Sequence, residues 1–289
     1  MSHTPPLDQT PRPAVHGHDG AAATTPAAPG FLWLEITGKC PLQCSHCYAE
    51  SGPVGTHGPM TAGDWRSVIG QAAAVGVCTV QFIGGEPTLH PQFADLLRHA
   101  IDSGLAVEVY TNLLHVKDAW WELFSRLGVS LATSYYSDSA RQHEAITRRR
   151  GSHARTRANI TEAVRRGIPL RAGIIALDDR QRVDQARAEL EDIGVRSIGV
   201  DHLRQVGRGS GTQIPSVSQL CGNCGHGVAA ISPAGDVWPC VFARQMTAGN
   251  VLGAPLADIL EGQAMADAVA MIAGTRPGPG MCTPLGHPR

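Results

Sequence analysis

Three cysteines, Cys40, Cys44 and Cys47, stand in the run KCPLQCSHCY immediately after the apolar segment FLWLEIT (31–37). Thiolates separated by three and then two residues on one loop can converge on a single metal centre. A cube of four irons and four sulfurs held by this triad is one protein ligand short, whereas electron-carrier 4Fe–4S sites close all four positions with cysteine. An iron without a protein ligand can bind and activate a substrate or cofactor. A mononuclear zinc site is the competing reading. It needs a fourth ligand, which His46 or His57 could supply.

A second set comes late in the chain. Cys221 and Cys224 have two residues between them, Cys240 ends the run GDVWPC, and Cys282 lies in the tail GTRPGPGMCTPLGHPR. Four thiolates would close one cluster completely, which suits electron transfer; the same four could form a zinc ribbon. Without Cys282 the set would leave an iron open to substrate or to another residue. Cys78 has no cysteine neighbour and reads as a small buried apolar side chain at the start of a strand. The basic stretch Arg148-Arg149-Arg150, with Arg155 and Arg157, reads in one of two ways. It could hold a cofactor carboxylate or an acidic peptide segment, or it is a solvated loop and helix start. His143, His153 and His226 take no assigned role.

These side chains need a scaffold. Strand patterns cover Phe31–Thr37, Thr79–Ile83, Leu105–Tyr110, Val129–Ser134, Leu170–Leu177 and Ser197–Val200. Helix patterns alternate with them over 61–75, 92–103, 117–127, 153–166 and 181–193, and Gly76, Gly104, Gly128, Gly167 and Gly194 close those helices. The alternation predicts a parallel α/β sheet, open or rolled into a partial barrel, with chemistry at the carboxyl ends of its strands. Residues 1–30, rich in Pro, Ala, Thr and Gly, read as a disordered tail. Residues 31–203 read as the core. In 204–289 a Gly-rich linker or flexible loop (204–218) precedes a separate unit, in which a hairpin turns at Pro233-Ala234-Gly235 and a short helix covers 256–261.

Composition narrows the classes. A 289-residue chain of formal net charge −1 gives no electrostatic reason to bind nucleic acid or an anionic membrane. No apolar run approaches the roughly 20 residues that span a bilayer, and no signal peptide is evident. Eight cysteines in such a chain, most of them in two clusters, read as metal ligands rather than disulfides, and place the protein in the reducing cytoplasm.

Cys40-x3-Cys44-x2-Cys47 followed by Tyr48 resembles the signature of the radical S-adenosylmethionine (radical SAM) superfamily. The resemblance runs over about residues 31–265. It takes in Gly84-Gly85-Glu86-Pro87 after the second strand, Thr111-Asn112 after the third and Ser134 at the end of the fourth. It implies a partial (β/α)6 TIM-like barrel and a 4Fe–4S cluster whose open iron is chelated by the amino and carboxylate groups of S-adenosylmethionine. The GGEP turn, Gly84 to Pro87, would sit against the cofactor, its glycines allowing close approach and Glu86 balancing the ammonium. Thr111, Asn112 and Ser134 would hydrogen-bond ribose or carboxylate. The backbone around Tyr48 would face adenine, and Arg148 would hold the carboxylate. Reduction would then release a 5′-deoxyadenosyl radical inside a dry barrel.

The late cysteines, with Gly235-x4-Cys240, resemble the C-terminal auxiliary-cluster domains of radical SAM peptide and sulfatase maturases, called SPASM or, in shorter form, Twitch. The full SPASM pattern continues with a dense second set of cysteines, and here only Cys282 follows. One auxiliary 4Fe–4S cluster on Cys221, Cys224, Cys240 and Cys282 is implied.

The combination implies hydrogen abstraction from a ribosomally made precursor peptide to install a cross-link or other modification, with the auxiliary cluster accepting the left-over electron. Only about 30 residues precede the core. Leader recognition would therefore fall to a separate leader-peptide-binding protein or to the barrel surface. Flavodoxin or ferredoxin would be the reductant. The alternatives are a radical SAM dehydrogenase acting on a small molecule in natural-product biosynthesis and, from another class, a non-catalytic iron–sulfur or zinc scaffold.

Overall fold

The computed structural model describes residues 30–273. The tail read over 1–30 lies, except for Gly30, outside the described residues, as does Cys282.

β1 (Phe31–Thr37) leads through the cysteine loop to α1 (Ala62–Ala74), and β2 (Thr79–Gly84) leads to α2 (Phe93–Asp102). β3 (Ala106–Tyr110) precedes α3 (Asp118–Phe124), and β4 (Val129–Ser134) precedes two helices, α4 (Ala140–Thr147) and α5 (Ser152–Arg165). β5 (Leu170–Ala176), α6 (Val183–Ile193) and β6 (Ser197–His202) complete the alternation. Then come β7 (Val228–Ile231), β8 (Asp236–Trp238), β9 (Gly249–Asn250), α7 (Leu256–Leu260) and α8 (Gln263–Ala273).

All nine strands form one sheet in the order β6-β5-β4-β3-β2-β1-β7-β8-β9. β1 to β6 pair in parallel, each with its neighbour. Trp33 of β1 and Gly199 and Asp201 of β6 line the same cavity, so the parallel strands curl into a partial barrel. Helices cover its outer face, which is why β1 is buried along its whole length. Strand alternation sorts the two faces. Leu32, Leu34, Ile36, Val80, Phe82, Val107, Val109 and Leu131 enter the core beneath the helices. Trp33, Gln81, Tyr110, Ser134 and Arg171 face the cavity.

Local signals fix several boundaries. Thr61 caps α1 in a reciprocal capping box with Asp64, and Gly194 ends α6 in the left-handed region at φ 101°. Four expectations change. α4 and α8 were not foreseen, because ARQHEAIT has little apolar signal and the second follows a helix of only five residues. The hairpin around Gly235 forms as read, but it extends the barrel sheet, since β7 pairs in parallel with β1. The segment 204–218 is not a free linker; it folds back on the cysteine loop, as described below. Cys78 is exposed rather than buried, its thiol turned to the Gly76 carbonyl at the edge of the α1–β2 connection.

Candidate functional site

The cysteine loop leaves the carboxyl end of β1 and is held from three directions. At its start, Gly85 N–H donates to Thr37 O at 2.6 Å and Glu86 N–H donates to Lys39 O at 2.8 Å. A Cβ on Gly84 would lie 2.3 Å from Thr37 O, and one on Gly85 2.2 Å from Lys39 O. The close approach that these glycines permit is thus to the loop's own base. In the middle, the Gln43 and Ser45 amides donate to Thr147 O and Ile146 O at the end of α4 (3.1 and 2.9 Å). On the far side, Arg208 reaches the Cys44 and Ser51 carbonyls.

Cys40, Cys44 and Cys47 line one cavity of about 280 Å³ with Gly84, Gly85, Asn112, Ser134 and Tyr48. Three thiols facing a shared open volume fit a multi-iron cluster better than one zinc ion. Of the two zinc alternatives, His57 shares a 2.8 Å hydrogen bond with Thr37 Oγ1 and does not line the cavity. His46 does line it, with Nδ1 buried and unpartnered; burial and the nearby Arg208 charge lower its pKa to about 4.

Burial pushes the Cys40 thiol well up, with the Glu86 charge adding to it. Burial and the neighbouring Cys47 raise Cys44 to about 12. Thiols ligate a metal as thiolates, so loading a cluster here would release their protons. The Asn112 side-chain amide approaches Cys40 Sγ at 3.8 Å.

The remaining expected cofactor residues divide. Ser134 lines the cavity and shares a 2.9 Å hydrogen bond with Tyr110. Thr111 and Pro87 are buried and do not line it; Thr111 donates to Glu86, and Pro87 opens a single 3-10 turn where its missing N–H is no loss. The Glu86 carboxylate was expected to meet the cofactor's ammonium. Its Oε1 accepts from Thr88 N, Thr88 Oγ1 and Thr111 Oγ1, and its Oε2 accepts from Asn112 N. Arg148, read as a carboxylate ligand, lies apart from these residues. It ends α4 in a left-handed turn, is exposed, and does not reach the cavity.

The rest of the wall was not foreseen from sequence. Tyr136, His143 and Arg171 line the cavity, and Glu108 holds Arg171 through two hydrogen bonds at 2.7 and 2.8 Å. Gln81 donates to the same carboxylate. Val241 and Phe242, directly after Cys240, also line it, so the C-terminal unit completes the chamber.

In that unit Cys221, Cys224 and Cys240 are buried in a second apolar cluster with Phe31, Trp33, Trp238 and Ile272. Cys224 Sγ and Cys240 Sγ lie 3.0 Å apart. Hydrogen bonding with Cys221 and Cys240 drives the Cys224 thiol far up. The unit docks on β1 through Arg244, which makes two 2.8 Å contacts with the buried Glu35 carboxylate and lies 4.3 Å from the Trp238 ring centre.

Comparison with known proteins agrees with this geometry. An iron–sulfur cluster-binding (SPASM) family model matches residues 221–283. The chain is 30% identical to the PqqA peptide cyclase of Ruegeria pomeroyi, over 64% of this chain and 50% of the cyclase. It is 24% identical to AlbA, the antilisterial bacteriocin subtilosin biosynthesis protein of Bacillus subtilis, over 75% of this chain and 56% of that protein. The chain therefore spans about half the length of these curated relatives. The structure of Streptococcus suis SuiB bound to S-adenosylmethionine superposes with a TM-score of 0.70 at 16% identity, covering 86% of this chain and 68% of SuiB. At that identity the superposition speaks for the fold. The radical SAM superfamily model spans residues 34–187, over half of the sequence and with the whole cysteine loop inside it, and the chain belongs to that superfamily.

Proposed function

We propose that this chain is a radical SAM enzyme that modifies a ribosomally made precursor peptide, installing a cross-link or a related modification. The observation that carries the reading is one chamber walled both by the open cysteine triad and by Val241 and Phe242 of the auxiliary unit. The relatives named as a peptide cyclase and a bacteriocin biosynthesis protein support the substrate class. We place the barrel at 31–203 and the auxiliary unit at 204–289, with the first cluster on Cys40, Cys44 and Cys47 and the second on Cys221, Cys224, Cys240 and Cys282.

When bound, the cluster and S-adenosylmethionine supply hydrogen abstraction from an unactivated carbon. The chain's own residues do the rest. The Gly84-Gly85 backbone, Asn112, Ser134 and the Tyr48 backbone form the wall against which the cofactor is oriented. Trp33, Tyr110, Tyr136 and Phe242 keep that wall poor in water. The Glu108–Arg171 pair and Gln81 give the inner wall fixed polar groups for a substrate. A flavodoxin- or ferredoxin-like donor and a separate leader-binding protein fit a cytoplasmic enzyme of this kind, and no described helix is long and apolar enough to cross a membrane.

Coexpression with short peptides encoded beside the gene, followed by mass spectrometry, tests the substrate class. Loss of two hydrogens from one peptide, dependent on Cys44, is the expected result. A set of such peptides that never changes mass, with turnover of a small alcohol instead, contradicts it.

A further inference from the structure

Residues 204–211, which read as a flexible Gly-rich connection, lie against the iron-binding loop. The Arg208 guanidinium donates from Nε to Cys44 O at 2.9 Å and from a terminal nitrogen to Ser51 O at 2.7 Å, while its backbone N–H donates to Cys47 O at 3.0 Å. Its two glycine neighbours are required by contact. Gly207 has φ +56°, and a Cβ there would lie 2.3 Å from Tyr48 O and 2.6 Å from Cys47 O. A Cβ on Gly209 would lie 2.5 Å from Arg204 O and 3.3 Å from His46 O. The segment is anchored behind this contact. Arg204, 7% exposed, holds the Asp201 carboxylate at 3.1 Å and donates to Gln219 O at 2.6 Å, two residues before Cys221.

From this arrangement we propose that Arg208 is a positioning residue for the first cluster. Through it the segment leaving the barrel grips the Cys44–Cys47 turn and sets a positive charge beside it. The Arg208 guanidinium meets carbonyl oxygens, and its charge acts on the Cys44 thiol. The planar fork of an arginine spans the Cys44 and Ser51 carbonyls together, which a lysine ammonium cannot do in the same geometry. A fixed positive charge near an iron–sulfur cluster favours its reduced, more negative form. The proposal rests on the reading of Cys40, Cys44 and Cys47 as cluster ligands.

The test uses the full chain carrying C221A/C224A/C240A, so that only the first cluster is loaded, with R208K, R208Q and G207A added singly. Iron content, the rate of iron loss to a chelator and the midpoint potential from EPR-monitored titration are measured. R208Q should have a more negative potential than its parent and lose iron several-fold faster. R208K should keep the parent potential but lose iron faster, and G207A should lose iron fastest. In the chain with all its cysteines, the same ordering is read on the EPR signal that S-adenosylmethionine shifts. Potentials and chelation rates equal to the parent in both R208Q and R208K would overturn the proposal. Faster iron loss with an unmoved potential in R208Q would overturn its electrostatic half. A chain with all its cysteines that takes up no iron at all would overturn the cluster reading beneath it, a result distinct from either.

Discussion

Glu86 Oε2 accepts the backbone N–H of Asn112 at 2.8 Å, and this bond ties the GGEP turn after β2 to the end of β3. The same carboxylate accepts from Thr111 Oγ1 at 2.9 Å and Thr88 Oγ1 at 2.7 Å. Burial raises the Glu86 pKa against these bonds, and the carboxylate ties together the turn after β2 and the end of β3. Glu86→Ala strands several buried donors and should cost about 3 kcal/mol in urea unfolding, with Glu86→Gln intermediate. Unchanged stability with weakened S-adenosylmethionine binding would show a carboxylate that meets the ammonium instead.

Asn112 also places its side-chain amide 3.8 Å from Cys40 Sγ. Hydrogen bonds to a cluster's sulfurs raise its reduction potential. Asn112→Leu keeps the backbone bond to Glu86 and removes the side-chain amide, with its approach to Cys40 and the bond its Oδ1 accepts from Leu114 N–H; Asn112→Asp, which keeps an acceptor for Leu114, is the control. The first cluster's potential should become more negative in an EPR-monitored titration; an unmoved potential would show that the contact carries no weight.

The Arg244–Glu35 pair fastens the C-terminal unit to β1, with Glu35 almost fully buried. Removing the cation alone leaves a buried carboxylate unpaired, so Arg244→Met should destabilise the chain by about 3–5 kcal/mol. Adding Glu35→Leu should recover most of that loss, because an apolar pair of similar volume is often neutral. Chemical denaturation of the two variants measures both effects, and additive losses would contradict the pairing.

How much of this was legible in the sequence depends on which interactions carried the signal. The strands of the barrel and the cysteine triad were readable because apolar runs, helix-ending glycines and thiol spacing are local. The partners of Glu86 and the outward turn at Arg148 were not, since both follow from how α4 and β3 pack around the loop. The same holds for VGRGSG (206–211). Glycines there look like freedom in one dimension, but they answer to the Tyr48 and Arg204 carbonyls in three. Arg171 and Tyr136 were missed because neither carries a motif; only alternation along the strands of the barrel could have pointed Arg171 inward.

Three buried histidines, His46 with His90 and His143, set an acid limit. Burial, with a neighbouring histidine, lowers His90 to about 4 and His143 to about 3. The unfolded chain takes up protons on all three near pH 6.5, and the folded chain does not until far lower. Stability is therefore full above about pH 6.5 and falls as pH drops toward 4, by about 1.4 kcal/mol per pH unit per histidine. Unfolding free energies between pH 7 and 5 check the slope, and His143→Gln should lower it by about a third, since His46 and His90 still contribute. A flat profile over that range would contradict the burial argument.

We infer that the triad of Cys40, Cys44 and Cys47 leaves an iron open for S-adenosylmethionine. The most direct measurement adds S-adenosylmethionine to the reduced cluster of the C221A/C224A/C240A chain and records EPR spectra and released 5′-deoxyadenosine. The account predicts a shifted spectrum and nucleoside release, both abolished by Cys44→Ala. An unchanged spectrum with no nucleoside, from a chain that holds about four irons, would contradict it.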